Sequence, residues 1–164
     1  MINTVDLYTD GACERNPGPG GYAYVLVVKL SDGIVAEAGG NKGFVRTTNN
    51  RMELMAVIAG LSRLNSRCKV TVYSDSKYVV NAINEGWLEN WVKCNYKNGR
   101  MPNIDLWDQL RKLLAVHDVT FCWIKGHSGN KYNEMCDRMA VAARNGKAGA
   151  LDWDYVYEQS QGYM

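Results

Sequence analysis

The chain has 164 residues, 46% of them hydrophobic and 22% charged, a balance typical of one folded domain and not of a disordered or fibrous protein. No apolar run approaches the roughly 20 residues that cross a membrane, and no basic segment precedes an apolar one at the start, so we expect neither a membrane span nor a secretory signal. The five cysteines include no C-x-x-C pair, which favours a reducing cytoplasm over a disulfide or zinc scaffold.

The net charge of +2 is unevenly distributed along the chain. Residues 148–164 hold three acids and no Lys or Arg, so the tail carries −3 and residues 1–147 carry +5. Apolar and acidic residues alternate over 151–157, which suits an added edge strand or a peptide that binds a protein partner. Packing of the tail on its own body and a disordered tail remain open as alternatives.

The predicted elements begin with three strands and continue with alternating helices and strands. In chain order they are a strand over 5–10, a Gly- and Pro-rich loop over 11–21, strands over 22–30 and 34–40 joined by a turn at 31–33, a helix from about 49 to 65, a strand over 69–74, a helix to about 84, a helix over 105–116, a strand over 119–124 and a helix over 132–143. This order predicts an α/β fold in which an antiparallel meander leads into βαβ crossovers. We expect a mixed five-stranded sheet flanked by helices.

Four acidic residues occupy positions where a surface charge is unexpected. Asp10 and Asp75 each end a predicted strand, while Glu53 and Asp137 flank the apolar faces of predicted helices. If the two strands are parallel neighbours, Asp10 and Asp75 lie together at their carboxyl ends, where ligand sites of α/β sheets gather. Clustered carboxylates repel one another, and divalent cations between them remove that repulsion. A donor set made only of oxygen favours Mg²⁺ or Mn²⁺ over zinc.

Each of these acids also has an ordinary structural interpretation, and the residues alone leave both open. Asp75 could cap the helix that follows it, and Glu53 could complete a capping box with Asn50. Asp137 could belong to a solvated helix face, and Asp10 could stabilise a glycine turn.

Four segments occur in the order and approximate spacing of type 1 ribonuclease H: Y-T-D-G-A-C with N-P-G-P-G-G, T-T-N-N-R-M-E-L-M-A, Y-S-D-S-K-Y-V, and W-I-K-G-H-S-G followed by N-E-M-C-D. The chain resembles that family over about residues 4–145. The resemblance implies a ribonuclease H-like catalytic domain over 1–147. It also implies an endoribonuclease that hydrolyses the RNA strand of RNA–DNA hybrids with two metal ions, leaving 5′-phosphate and 3′-hydroxyl ends.

The same resemblance implies the residues of the site. Asp10, Glu53, Asp75 and Asp137 correspond to the four carboxylates that hold two Mg²⁺ ions, with Mn²⁺ as a substitute. His127 corresponds to a loop histidine that acts as a mobile proton shuttle or aids product release. Asn16, Asn49 and Lys77 correspond to family residues that contact the hybrid on or near its RNA strand. Cys13 and Thr48 correspond to residues along the path of the DNA-strand phosphates.

Residues 86–104 combine aromatic and basic side chains, a composition that suits a phosphate and sugar surface. The segment resembles the substrate-binding protrusion of the family, although its net charge is only +2. The candidate contacts are Trp87, Trp91, Lys93, Tyr96 and Lys97. The alternative is that the two tryptophans belong to the core and the cations are merely solvated.

Two other functions remain to be separated from this one. The fold also supports a DNA-directed nuclease or strand transferase, against which the intact T-T-N-N-R-M-E-L segment argues. A catalytically inactive hybrid-binding module would have lost a carboxylate, and all four are present. We expect a monomer whose partner is an RNA–DNA hybrid.

Overall fold

A mixed five-stranded sheet forms the centre of the computed structural model, which describes residues 3–33, 35–146, 152 and 155. The strands are β1 (Asn3–Cys13), β2 (Gly18–Lys29), β3 (Val35–Thr47), β4 (Cys68–Ser74) and β5 (Asp118–Trp123). Their order across the sheet is β3-β2-β1-β4-β5. The first three strands pair antiparallel, whereas β1 with β4 and β4 with β5 pair parallel. The predicted meander followed by crossovers is confirmed.

Helices cover both faces of this sheet. They are α1 (Asn49–Ser62), α2 (Lys77–Asn84), α3 (Trp87–Lys93), α4 (Asn95–Gly99), α5 (Ile104–Val116) and α6 (Lys131–Arg144). The larger core lies between the sheet and α1, α2 and α5, and a smaller core lies under α6 on the opposite face. Among the described helices, none has the length and hydrophobicity needed to cross a bilayer.

The Gly-rich segment is shorter as a loop than predicted. Residues 11–21 were expected to be loop throughout, but β1 continues to Cys13 and β2 begins at Gly18, so only four residues connect the strands. The two strands remain paired as far as Cys13 and Gly20. The four glycines that suggested a turn therefore all lie within the two strands.

Two of these glycines allow helices to approach the sheet closely. A Cβ atom on Gly11 would lie 2.7 Å from the backbone nitrogen of Glu53, and one on Gly21 would lie 2.4 Å from the carbonyl oxygen of Ala140. Such distances are too short for any side chain, so glycine is required at both positions. The close contact at Gly11 brings Glu53 of α1 next to the strand that carries Asp10.

Two residues of the acidic tail are described, and both are buried in the body. Asp152 is 3% exposed and Tyr155 is 1% exposed. The Asp152 carboxylate accepts hydrogen bonds from the Arg51 guanidinium at 2.8 and 3.1 Å and from the Thr47 hydroxyl at 2.7 Å. Arg51 is itself fully buried and forms a second, bidentate ion pair with Asp105 at 2.7 and 2.9 Å. The predicted edge strand over 151–157 lies largely outside the described residues.

Candidate active site

Asp10 and Asp75 lie side by side where the parallel pairing of β1 and β4 ends. The last parallel pair is Tyr8 with Tyr73, and each acid follows two residues later. Asp75 comes directly after β4, as predicted, but Asp10 is inside β1 and not at its end, because β1 continues alongside β2. The expected juxtaposition of Asp10 and Asp75 is therefore present, at the point where the parallel pairing ends and not at the ends of both strands.

A third carboxylate reaches the same point from α1. One ligand oxygen each from Asp10, Glu53 and Asp75 all lie within 4.8 Å of one another. Asp137 from α6 and His127 from the loop after β5 line the same depression. Four elements of the fold thus converge on one acidic site, although Asp137 stands outside the tightest group.

The competing roles in helix capping are taken by other residues. Thr48 is the N-cap of α1, and its side chain accepts a hydrogen bond from the Arg51 backbone nitrogen at 3.2 Å. Ser76 is the N-cap of α2 and accepts one from Val79 at 3.3 Å. Neither Glu53 nor Asp75 is therefore used as a cap.

Burial and mutual repulsion make the three clustered acids hold their protons unusually firmly. Burial, followed by the charge of Asp75, raises the pKa of Asp10 to about 8. Burial and then the charge of Asp10 raise the pKa of Glu53 well above its ordinary value. The pKa of Asp75 is also raised, mainly by burial. A cluster of this kind is stable only when protons or cations neutralise it.

The donor atoms fit a divalent cation. The Oε2 atom of Glu53 is buried and has no hydrogen-bond partner among the described residues. A buried, unpaired carboxylate oxygen is costly unless a ligand satisfies it. Because the surrounding ligands are also carboxylate oxygens, the site suits a hard cation such as Mg²⁺ or Mn²⁺.

Four of the predicted hybrid-contacting residues gather around the start of α1. Asn16 accepts a hydrogen bond from the backbone nitrogen of Asn49 at 2.9 Å, which ties the β1–β2 connection to the helix. The Cys13 thiol donates to the carbonyl of Thr47 at 3.4 Å, next to the capping residue Thr48.

Lys77 lines the acidic depression and is the first residue of α2. It is exposed, and its ammonium nitrogen lies 5.1 Å from the centre of the Trp123 ring.

The aromatic and basic segment divides into core and surface residues. Trp87 is 41% exposed, whereas the ring of Trp91 packs 5.2 Å from that of the buried Trp107. Tyr96 is only 8% exposed, and its hydroxyl donates to Asp108 at 3.4 Å. The ring of Tyr96 therefore belongs to the core, and the contact of Tyr96 with substrate stays a prediction.

The basic residues of the same segment remain at the surface. Lys93, Lys97 and Arg100 are all exposed.

Sequence reasoning did not single out two residues that support the site. Arg51 carries a buried charge two positions before Glu53, and the available signal was a cation within the buried stretch of an otherwise apolar helix. Trp123 ends β5, and its indole N–H donates to the backbone carbonyl of Asp75. The available signal there was an exposed aromatic residue next to a glycine-containing loop.

Comparison with known proteins agrees with this arrangement. The RNase H family profile matches residues 3–145. The Ribonuclease H of Lachnoclostridium phytofermentans is 49% identical over 158 residues, which cover 94% of this chain and 99% of that protein.

Solved structures share the fold. The crystal structure of LC9-RNase H1, a type 1 RNase H, superposes with a TM-score of 0.81 at 24% identity, covering 99% of this chain and 85% of that one. LC11-RNase H1, solved in complex with an RNA/DNA hybrid, gives a TM-score of 0.63 at 20% identity, covering 86% and 96%. With a family match over nearly the whole body and the expected carboxylates gathered in one place, the chain belongs to the ribonuclease H family, type 1.

Proposed function

We propose that this ribonuclease H cleaves the RNA strand of RNA–DNA hybrids with two Mg²⁺ ions held by Asp10, Glu53, Asp75 and Asp137. The observation that carries the proposal is the group of three carboxylates within 4.8 Å, one of which keeps a buried oxygen that no described residue hydrogen-bonds. The family membership supplies the substrate class, and the LC11-RNase H1 complex supports a hybrid as the ligand of this fold.

The four acids would have different roles in binding the cations, according to the strand or helix that carries each one. Asp10, in the central strand, has the most rigid position and faces both Glu53 and Asp75, so it is suited to share two cations. Asp137 comes from α6 on the opposite face of the sheet and completes the acidic rim. Two divalent cations supply an activated water and charge stabilisation of the departing 3′ oxygen. Mn²⁺ has the same ligand preference and would substitute.

His127 is placed to move protons at the rim of the site. It is exposed, lies in the loop between β5 and α6 and lines the same depression as Asp10 and Asp75. Its side chain would take a proton from the attacking water or help the cleaved strand to leave.

The hybrid would lie across the start of α1. Asn16 and Asn49 offer amide groups that can contact a 2′-hydroxyl, and Lys77 offers a charge to the RNA backbone. The Thr48 hydroxyl accepts a bond as helix cap and still has a hydrogen to donate, so Thr48 and the neighbouring Cys13 would contact DNA phosphates.

A second group of contacts would come from the segment around α3, where Trp87 and three exposed cations face solvent. Trp91 would act indirectly, by supporting Trp87, whose ring centre lies 6.5 Å from its own. Contacts to backbone and sugar carry little sequence information, so we expect weak sequence preference.

We also propose that the protein acts as a cytoplasmic monomer. The clustered carboxylates and the histidine all come from one chain. All five cysteines are unpaired, and two of them are exposed, which suits a reducing compartment. The buried contacts of Asp152 and Tyr155 favour a tail that packs on its own body over one reserved for a protein partner.

The test uses three end-labelled substrates of one sequence: an RNA–DNA hybrid, duplex DNA and duplex RNA, each incubated with Mg²⁺ or with EDTA. We expect cleavage of the RNA strand of the hybrid, with Mg²⁺ only, and products that carry 5′-phosphate ends. Cleavage of duplex DNA would support the DNA-directed nuclease instead. Binding of the hybrid without cleavage would support the inactive binding module.

A further inference from the structure

We propose that Trp123 is a positioning residue for Asp75, and that it also holds Lys77 beside the acidic site. The indole N–H of Trp123 donates to the backbone carbonyl of Asp75 at 3.0 Å, while one face of the ring meets the Lys77 ammonium at 5.1 Å. The inference rests on the proposed role of Asp75 as a ligand of the divalent cations.

The hydrogen bond lies at the point where the parallel pairing of β4 and β5 ends. Ser74 and Trp123 are the last paired residues, and the backbone nitrogen of Ile124 donates to the Ser74 carbonyl at 2.9 Å. The chain then leaves the sheet at Asp75, where the backbone hydrogen bonds between β4 and β5 have ended. The Trp123 side chain supplies the next hydrogen bond in place of a backbone group.

The rest of the turn is already held on either side of Asp75. The Ser76 backbone nitrogen donates to the Ser74 hydroxyl at 3.0 Å, and the Ser76 side chain caps α2. On the opposite side, a Cβ atom on Gly126 would lie 2.6 Å from the Asp75 Oδ2 atom, so the loop after β5 lies directly against the carboxylate. The Asp75 carbonyl is the point of this turn that the Trp123 indole fixes.

The ring of Trp123 also contacts Lys77, and this contact does not depend on the N–H group of the indole. It is 43% exposed, and the Lys77 ammonium lies over its face at cation–π distance. Lys77 is thereby kept near the carboxylates, although its long side chain could otherwise extend into solvent. The two contacts use different parts of one side chain, so two substitutions separate them.

The first substitution is Trp123→Phe, which removes the N–H donor and keeps an aromatic face. We expect the dissociation constant for Mg²⁺, measured by calorimetry on the free protein without hybrid, to rise about threefold to tenfold, the usual effect of one hydrogen bond. The rise in melting temperature on adding Mg²⁺ should shrink accordingly. An affinity equal to that of the wild type would overturn the role in positioning Asp75.

The second substitution is Trp123→Ala, which removes both features. It should weaken Mg²⁺ binding as Trp123→Phe does and, in addition, raise the KM for hybrid by the same factor as Lys77→Met. Trp123→Phe should leave that KM close to the wild-type value. An equal KM for Trp123→Ala and the wild type would overturn the role in holding Lys77.

Two controls separate this inference from general damage and from a wrong metal assignment. Phe121→Leu alters the buried residue two positions earlier in β5 and should lower the melting temperature without changing Mg²⁺ affinity. An equal loss of affinity in Phe121→Leu would overturn the proposal. Asp75→Asn should abolish tight Mg²⁺ binding. If Asp75→Asn binds Mg²⁺ as tightly as the wild type does, the metal assignment of Asp75 is wrong. If Asp75→Asn loses Mg²⁺ affinity and Trp123→Phe does not, only the role of Trp123 is rejected.

Discussion

At the scale of single residues, the carboxylates of the site oppose folding as long as no cation is bound. The pKa of Asp10 is about 8 in the folded protein against an ordinary value of 3.8, because burial and Asp75 disfavour its charged form. Between these values the folded state holds a proton that the unfolded chain has released. The free energy of unfolding of the metal-free protein therefore falls as the pH rises through this range.

The substitution Asp10→Asn should abolish cleavage and stabilise the metal-free protein. It removes a charged ligand at constant volume, together with the repulsion described above. In EDTA, the difference in the free energy of unfolding between variant and wild type should grow by up to about 1.4 kcal/mol per pH unit from pH 3.8 towards about 8. Denaturant titrations at several pH values measure this. Cleavage within about tenfold of the wild-type rate would contradict the ligand assignment.

His127→Ala should lower kcat by about 10²-fold, the usual contribution of one acid–base group, and leave KM for hybrid nearly unchanged. Residual activity should stay well above that of Asp10→Asn, because the cation site is intact. The matched control is His117→Ala, which changes the other histidine, whose Nδ1 accepts from the Cys68 backbone nitrogen in the interior. It should lower the melting temperature without lowering kcat. Unchanged kcat in His127→Ala would identify an ordinary surface histidine.

At the scale of elements, local patterns predicted most boundaries closely. The helix expected over 132–143 is observed at Lys131–Arg144, and the strand expected over 119–124 is observed at Asp118–Trp123. One error concerned the loop over 11–21, because a glycine that lets a helix lie close to a strand has the same sequence signature as a glycine in a turn. A glycine in the sequence indicates that the backbone is unhindered at that position, but it does not indicate which helix or strand packs against it. Another error concerned the third strand, which was expected over 34–40 and continues to Thr47.

The segment around α3 gives a prediction for substrate binding. Changing Lys93, Lys97 and Arg100 together to Ala should raise KM and reduce the slope of log KM against log salt concentration by about 2 to 3. Binding releases counterions from each phosphate that a cation contacts, so the variant would release fewer of them. Changing Arg67 and Lys69, two exposed cations at the opposite end of β4, should alter neither quantity. A fall in kcat at constant KM would show that the segment does more than bind substrate.

At the scale of the whole molecule, a buried ion cluster joins the tail to the helix that carries Glu53. Arg51 is fully buried between Asp105 and Asp152, and Asp152 also accepts from Thr47. No sequence pattern could predict this contact, since 101 residues separate Arg51 from Asp152 and the tail composition suggested several other roles. The convergence of the carboxylates was predictable because the topology of the sheet places them together.

Asp152→Ala should lower the free energy of unfolding by about 3 kcal/mol, because removing one partner leaves part of a buried charge unpaired. The matched control is Asp108→Ala, which breaks exposed ion pairs with Arg111 and Lys112 and the 3.4 Å hydrogen bond from the Tyr96 hydroxyl, and should change stability by less than about 1 kcal/mol. Urea denaturation of both variants measures the difference. A loss for Asp152→Ala as small as that of Asp108→Ala would show that the contact between Asp152 and Arg51 contributes no stability.

The same ion cluster has a consequence for the order of events during biosynthesis. Arg51 is translated 54 residues before Asp105 and 101 residues before Asp152. At about 5–20 residues per second, roughly 5 to 20 s pass before the second partner of this arginine exists. A nascent chain that buries α1 earlier would enclose an incompletely neutralised cation. We therefore expect the packing around Arg51 to reach its full stability only after Asp152 has left the ribosome.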